Sequence, residues 1–148
     1  MRSKFEQQVA KALDKAGIAY EYEAKSYELY LPVIRGHRCI DCASKRIEKL
    51  SWYTPDFFIT GGPVLETKGK FTALDRKKQL AMREHHPDVP VTMVFMRNNT
   101  LSKHSKTRYS DWCIANGVSY LIWRSEDSLT APVWSPEGFF TLAERGEE

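Results

Sequence analysis

Residues 55–70 of the chain read PDFFITGGPVLETKGK, in which a Gly-Gly pair joins two short apolar runs. This arrangement predicts an antiparallel β-hairpin between two strands of the core. Three ionisable side chains, Asp56, Glu66 and Lys68, interrupt the apolar runs. Because side chains two apart on a strand point to the same face, Glu66 and Lys68 project together, and Asp56 can reach them from the preceding strand. The hairpin therefore gathers two carboxylates and an ammonium in a segment typical of a core.

Such a charge cluster is costly to bury unless its members compensate one another. Two carboxylates beside an ammonium can do so, or can hold a divalent cation. Carboxylate oxygens suit Mg²⁺, which keeps several waters and binds through one or two carboxylates plus a substrate phosphate. A cation there would stabilise charge on a scissile phosphate and generate hydroxide near neutral pH, with Lys68 orienting the water or steadying the transition state. The alternative is a surface hairpin with an incidental salt bridge, because Asp followed by Glu-x-Lys is a short pattern that arises by chance.

The length and composition of the chain predict one folding unit. Its 148 residues are 42% hydrophobic, which is enough for a single core. No apolar run approaches the roughly 18 residues of a membrane helix, and charges interrupt the first residues where a signal peptide would be apolar. Three cysteines, Cys39, Cys42 and Cys113, favour reduced thiols in a cytosol-like compartment. We therefore expect a protein that stays in the cytoplasm and does not enter a membrane.

Charge is distributed unevenly along the chain, although the formal net charge is only +3. Residues 68–108 contain ten Lys or Arg and three acids, whereas residues 125–148 contain six acids and one Arg. This asymmetry favours one face that meets a polyanion and an acidic tail in solvent. The alternative is an ordinary solvated helix and loop.

Apolar spacing, turn residues and caps predict the order of helices and strands. Ser3 and Glu6 resemble a capping box at the start of a helix that ends at Gly17. The segments that follow are two strands, or one bent strand, in 18–24 and 27–31, a polar irregular stretch in 33–50, hairpin strands in 52–59 and 63–69, a helix in 72–86, a strand in 90–96, a basic loop in 102–108, a short helix in 109–116, a strand in 118–123 and a helix start at 135. This order predicts a mixed α/β domain with helices packed on a central sheet.

The sequence PDFFITGGPVLETKGKF followed by LDRKKQLAMREHHPD resembles the catalytic core of the phage endonuclease I family, the Holliday-junction resolvases with a PD-(D/E)xK nuclease fold. The resemblance runs from KFEQQVAKALDKAGIAYEYE to SKTRYSDWCIANGVSY and covers most of the chain. It implies a restriction-endonuclease-like βββαβ core with an N-terminal helix. It also implies an endodeoxyribonuclease that resolves four-way junctions and other branched DNA by paired phosphodiester hydrolysis.

The resemblance implies a role for each residue that matches the family motif. Asp56 and Glu66 would be metal carboxylates, the backbone carbonyl of Thr67 a further ligand and Lys68 the catalytic lysine. Glu6 would help to hold a second metal, so the expected cofactor is two Mg²⁺ per active site, for which Mn²⁺ can substitute. From the residues alone, Glu6 needs no duty beyond its place in the capping box with Ser3.

Family members are dimers that exchange N-terminal segments, so the resemblance implies that Glu6 of one subunit completes the site of the other. Two-fold assembly supplies the two equivalent sites that paired cuts require. A phage protein would act in the cytoplasm of the bacterial host. The expected parts of the single nuclease domain are an exchanged N-terminal helix and strands in 1–31, a bridging insert in 32–52, a catalytic core in 53–124 and an acidic tail in 125–148.

The basic residues near the motif are expected to contact DNA phosphates, which gives affinity that falls with salt and little sequence choice. These residues are Lys70, Arg76, Lys77, Lys78, Lys103, Lys106 and Arg108. His85 and His86 precede Pro87 at a helix end, where solvation or C-terminal capping is expected instead of catalysis.

The bridging insert contains His37, Cys39 and Cys42. A Cys-x₂-Cys pair is half of a tetrahedral zinc site, and two inserts meeting across a dimer could pool ligands for Zn²⁺. The alternative is a pair of reduced thiols in a loop. Two rival functions also stay open: a non-catalytic DNA-binding or zinc-stabilised module on the same fold, and a related nuclease that acts on linear duplex DNA.

Overall fold

The structure is a computed structural model that describes residues 3–32 and 48–125. The predicted zinc residues His37, Cys39 and Cys42 and the tail beyond Ser125, with its predicted helix start, lie outside the described residues. The elements in chain order are α1 (Lys4–Lys15), β1 (Tyr20–Tyr22), β2 (Tyr27–Pro32), β3 (Glu48–Tyr53), β4 (Phe57–Ile59), β5 (Val64–Lys68), α2 (Ala73–His85), β6 (Val91–Phe95), α3 (Tyr109–Asn116) and β7 (Ser119–Ile122).

A five-stranded mixed sheet in the order β1-β4-β5-β6-β7 forms the centre of the domain. Strands β1, β4 and β5 pair antiparallel, whereas β5, β6 and β7 run parallel. Strand β5 is central, and its first four residues are buried. The predicted mixed α/β fold is confirmed, and β1, β4, β5, α2 and β6 supply the βββαβ core. Among the described residues, no helix is long and apolar enough to cross a bilayer.

The predicted hairpin is confirmed as β4 and β5, with Phe57 opposite Leu65. Its turn needs glycine at two positions. Gly61 has a φ of 71°, which side-chain-bearing residues rarely adopt. A Cβ on Gly62 would lie 2.8 Å from Cγ2 of Ile59.

The strand predicted over residues 52–59 is wrong, because the chain breaks at Thr54–Asp56. Trp52 and Tyr53 end β3 in a separate two-stranded sheet with β2, and β4 begins only at Phe57. Pro55 has no N–H to donate to a ladder, which suits a break between strands. The residues 48–50, expected to be irregular, instead begin β3 because they pair with β2, as in the register of Leu50 with Tyr30. The two strands predicted in 18–24 and 27–31 likewise enter different sheets.

The helices lie close to the ranges that the sequence predicts. Ser3 caps α1, with its Oγ 3.1 Å from the N–H of Glu6, and Gly17 follows the last turn at a φ of 72°. Helix α2 begins at a capping box in which Thr72 and Asp75 bond reciprocally, and it ends just before Pro87. Helix α3 is closed by left-handed Gly117.

Three apolar clusters fix these elements around the sheet. Helix α1 packs Phe5, Val9 and Leu13 against one face, and α3 covers the other with Tyr109 and Cys113. Neighbouring residues of β6 divide between these two clusters because successive strand side chains point to opposite faces. A third cluster joins β2 and β3 to α2 and includes Tyr53 and Met82. Cys113 and Tyr120 are buried in the second cluster, and Trp112 and Trp123 are partly buried against the second and first clusters. The packing therefore places the N-terminal turn of α1, the end of β3 and the first turns of α2 around β5.

Candidate active site

A cavity of about 350 Å³ opens where these elements meet β5. Its walls carry four carboxylates and two ammonium groups, together with uncharged hydrogen-bonding side chains. The lining residues are Glu6, Trp52, Tyr53, Thr54, Asp56, Glu66, Thr67, Lys68, Asp75, Lys78 and Gln79. The structure thus brings together Glu6, Asp56, Glu66, Thr67 and Lys68, all predicted as site residues from the sequence.

Asp56 lies in the break between β3 and β4, and it is held by the neighbouring strand. Its Oδ2 accepts hydrogen bonds from the N–H and the hydroxyl of Thr67, each at 2.8 Å. Burial raises the pKa of Asp56, the two bonds from Thr67 act to lower it, and the charge of Glu6 adds to the increase. The net shift is upward, so the ionised carboxylate is disfavoured in the absence of a compensating charge.

Glu66 points into the cavity from the centre of β5. Its Oε1 accepts a hydrogen bond of 3.0 Å from the hydroxyl of Tyr53, and its Oε2 lies 3.4 Å from Nζ of Lys68. Burial and the charge of Asp56 raise the pKa of Glu66 to about 8, although the Lys68 ammonium acts to lower it. Glu66 and Asp56 therefore oppose each other's ionisation, and a cation between them would relieve that opposition.

Lys68 ends β5 between two carboxylates. Its Nζ lies 3.1 Å from Oδ1 of Asp75 as well as 3.4 Å from Glu66. Burial acts to lower the pKa of Lys68, but the charges of Glu66 and Asp75 outweigh it and raise the pKa above its usual range. The side chain thus carries a fixed positive charge at the edge of the cavity.

Glu6 reaches the cavity from the first turn of α1. Its backbone N–H donates to Ser3, which is one half of the predicted capping box, while its carboxylate accepts a hydrogen bond from the Tyr22 hydroxyl. The side chain is buried and faces the cavity. The backbone of Glu6 therefore serves the helix cap, and its side chain is left for the cavity.

The oxygen donors of the cavity fit a hard divalent cation. Within residues 3–32 and 48–125, no three His, Cys, Asp or Glu side chains cluster closely enough to hold a metal by themselves. Mg²⁺ needs only one or two carboxylates when water and a substrate phosphate complete its shell. Asp56 and Glu66, with the backbone of Thr67 between them, meet that requirement.

The basic residues predicted to contact DNA occupy three places. Arg76, Lys77 and Lys78 lie in the first half of α2, and of these Lys78 lines the cavity. Arg76 donates a 2.8 Å hydrogen bond to the Phe71 carbonyl and stacks over the ring of that residue. The others are exposed, on the turn after β5 or on the loop before α3: Lys70, Lys103, Lys106 and Arg108.

His85 and His86 lie at the C-terminal end of α2 and do not line this cavity. His86 is the C-cap residue, and its Nε2 lies 2.7 Å from the Glu28 carbonyl oxygen. His85 packs edge-on against Tyr30. His86 thus occupies the C-cap position through its backbone, and its side chain bonds to β2.

Sequence reasoning missed three residues of the site, Asp75, Tyr53 and Gln79. Asp75 has a sequence signal as the acid of a Thr-x-x-Asp capping box, but that signal indicates a helix start and not a contact with Lys68. The Tyr53 hydroxyl donates to Glu66 and accepts a 2.9 Å hydrogen bond from Gln79. Nothing local in the sequence marks either contact.

Comparison with known proteins finds relatives of this chain. A sequence model of the family described as phage endonuclease I matches residues 1–133. Endodeoxyribonuclease 1 of Enterobacteria phage T3 is 34% identical over 120 residues, which span 80% of this chain and 69% of that protein. Endonuclease I of Escherichia phage T7 is 34% identical over 137 residues, which span 92% of this chain and 78% of that protein. The chain therefore belongs to the phage endonuclease I family.

Proposed function

We propose that this protein is a Mg²⁺-dependent endodeoxyribonuclease that resolves four-way junctions and other branched DNA by paired phosphodiester hydrolysis. The observation that carries the proposal is the convergence of Asp56, Glu66 and Lys68 on one cavity beside the Thr67 backbone. The names of the relatives from phages T3 and T7 support nuclease activity. The preference for branched DNA rests on the family resemblance.

In the proposed site, Asp56, Glu66 and the Thr67 carbonyl would hold one cation, and Glu6 would help to hold a second. The bound cation would lower the pKa of a water and stabilise negative charge on the scissile phosphate, and Mn²⁺ would serve as a substitute. Lys68 keeps its ammonium at the cavity edge, where it orients the attacking water or neutralises charge that develops on phosphate oxygens. Thr67 holds the Asp56 carboxylate in place through two hydrogen bonds.

The proposed DNA contacts extend from the cavity along α2. Arg76, Lys77 and Lys78 place positive charge beside the catalytic strand, and the exposed Lys103, Lys106 and Arg108 add charge on the loop before α3. Contacts of this kind bind phosphates and carry no base sequence directly. Selection of the substrate would then depend on the shape of the branch.

A homodimer formed by exchange of N-terminal segments completes the proposal. The two-stranded sheet exposes Tyr30 (44%), Leu50 (46%) and Trp52 (57%) on one face, because Tyr30 pairs with Leu50 and Trp52 lies two residues further along β3. An exposed apolar patch of this kind fits a second copy of the chain. Since Glu6 enters the cavity from the N-terminal helix, exchange of that segment would place Glu6 in the partner's site.

The experiment that tests the function compares a fixed four-way junction with a linear duplex built from the same arms, with and without Mg²⁺. We expect cutting of the junction that requires the metal, with strands nicked in symmetric pairs. Binding without cutting in Mg²⁺ or Mn²⁺ would instead support the non-catalytic module. Equal cutting of both substrates would support a nuclease for linear duplexes. The proposed place of action is the cytoplasm of a bacterial host.

A further inference from the structure

Helix α2 is linked to both functional side chains of β5 through two of its own residues, directly to Lys68 and through Tyr53 to Glu66. Asp75 and Gln79 lie four positions apart, one above the other on the same face of the helix, and both line the cavity. Glu66 and Lys68 are two apart on the strand, so they also share a face. Two contacts therefore link α2 to β5, one from Asp75 to Lys68 and one from Gln79 through Tyr53 to Glu66.

The first contact joins Asp75 to Lys68. Oδ1 of Asp75 lies 3.1 Å from Nζ of Lys68, and the other oxygen, Oδ2, accepts hydrogen bonds of 2.9 Å from the N–H and the hydroxyl of Thr72. The carboxylate is thus clamped to the start of α2 by one oxygen and presents the other to the lysine. A helix cap alone needs only Oδ2.

The second contact joins Gln79 to Glu66 through Tyr53. Gln79 Nε2 donates to the Tyr53 hydroxyl at 2.9 Å, and that hydroxyl donates to Oε1 of Glu66 at 3.0 Å. Because a hydroxyl donates one hydrogen only, the amide of Gln79 fixes the direction in which Tyr53 donates. All three residues are buried, in a position where apolar side chains would pack without the cost of desolvating an amide.

We propose that Asp75 and Gln79 are positioning residues for the nuclease reaction, Asp75 acting on Lys68 directly and Gln79 acting on Glu66 through Tyr53. The inference rests on the proposed function. When Glu66 is engaged by a cation, Asp75 is the carboxylate among the described residues that still holds Lys68. The Gln79–Tyr53 pair leaves Oε2 of Glu66 directed toward the lysine side of the cavity by occupying Oε1.

The variant Asp75→Asn tests the first contact. It keeps the size of the side chain and an acceptor for the Thr72 N–H, but it removes the charge that faces Lys68. We expect the single-turnover rate at saturating junction to fall by about 10- to 100-fold, the usual effect of losing an outer partner of a site. The dissociation constant for the junction should change by less than about twofold, since the phosphate contacts are intact.

Asp111→Asn is the matched control. Asp111 occupies the same third position of a capping box in α3, accepts a 2.9 Å hydrogen bond from the Arg108 N–H and does not line the cavity. Its loss removes a bond at a helix start, as the loss of Asp75 does, and should leave the rate at saturating DNA unchanged. Equal rates for the two variants would overturn the role of Asp75.

Tyr53→Phe tests the second contact by removing a single oxygen atom. We expect the Mg²⁺ concentration for half-maximal rate to rise about 10-fold or more, and the increase in Tm on adding Mg²⁺ to the DNA-free protein to shrink. Tyr109→Phe is the control, because Tyr109 is also buried and its hydroxyl accepts a 3.2 Å hydrogen bond from the Phe71 N–H away from the cavity.

The outcomes separate this inference from the function on which it rests. A wild type that cuts junctions, with Asp75→Asn and Tyr53→Phe behaving like their controls, would overturn the positioning role and leave the nuclease assignment intact. A wild type that fails to cut any DNA would overturn both. Two variants that lose rate or metal response while the controls do not would establish the positioning role.

Discussion

Oδ2 of Asp56 accepts hydrogen bonds from both the N–H and the hydroxyl of Thr67, each at 2.8 Å. The two residues lie on neighbouring segments, Asp56 at the start of the hairpin and Thr67 on its second strand. A single carboxylate oxygen thus ties the break before β4 to the centre of β5. This bond network holds Asp56 close to Glu66 even though their charges repel.

The first prediction concerns this network. Thr67→Val keeps the shape of the buried side chain but removes the hydroxyl donor, so Asp56 loses one of two bonds to its charged oxygen. We expect the free energy of unfolding to fall by about 2 kcal/mol, the usual range for a bond to a charged group. Urea denaturation in a metal-free buffer measures it. Thr100→Val, which removes an exposed hydroxyl that donates to Ser102 O, should change stability by less than about 0.5 kcal/mol.

The second prediction concerns catalysis. Lys68→Ala and Glu66→Gln should abolish cutting while junction binding stays nearly intact, because the phosphate contacts are made elsewhere. Cleavage of a labelled junction in Mg²⁺ and a binding titration in the same buffer without metal measure the two properties. Full activity in either variant would show that the site is assigned to the wrong residues.

The third prediction concerns stability against pH in the presence of a chelator. Burial and the charge of Asp56 raise the pKa of Glu66 to about 8 in the folded protein, above its ordinary value of 4.5. The folded state then holds a proton that the unfolded chain has released, so the free energy of unfolding falls as pH rises from about 4.5 to about 8. Each pKa unit corresponds to about 1.4 kcal/mol, so a decline on the order of 5 kcal/mol is expected.

Glu66→Gln isolates this effect, because it removes the carboxylate and leaves the other titrating groups in place. The stability difference between wild type and variant should grow with pH in chelator and shrink when Mg²⁺ is added. Denaturant unfolding at pH 5, 6, 7 and 8 gives the comparison. Parallel pH profiles for the two proteins would contradict the raised pKa of Glu66.

The sequence predicts local features of the hairpin well and the elements around it less well. Two apolar runs joined by Gly61 and Gly62 specify β4 and β5 because register and turn depend on neighbouring residues. The break before Phe57 is not predicted, because it depends on the pairing of β3 with β2, about twenty residues away in the chain. Pairing of this kind overrides the polar composition of residues 48–50.

The same distinction explains which site residues were predicted. Glu66 and Lys68 share a strand face, and Asp56 precedes the adjoining strand, so a two-residue periodicity is enough to group them. Asp75, Tyr53 and Gln79 act through partners on other elements, and Tyr53 and Gln79 are 26 residues apart. Thr72 and Asp75 indicate a helix cap, and only the placement of α2 in the fold brings Asp75 to Lys68.

The fourth prediction tests the exchange of N-terminal segments by mixing two inactive variants, Glu6→Gln and Lys68→Ala. If each site combines Glu6 of one subunit with Lys68 of the other, a mixed dimer has one site with both changes and one site with neither. Co-refolded protein should therefore nick junctions on one strand, whereas each variant refolded alone stays inactive. If each chain completes its own site, both sites of the mixed dimer carry one change and the mixture stays inactive. Refolding Glu6→Gln with a Glu6→Gln, Lys68→Ala double variant is the matched control, since every exchanged site then lacks Glu6, and activity in that sample would rule out the interpretation.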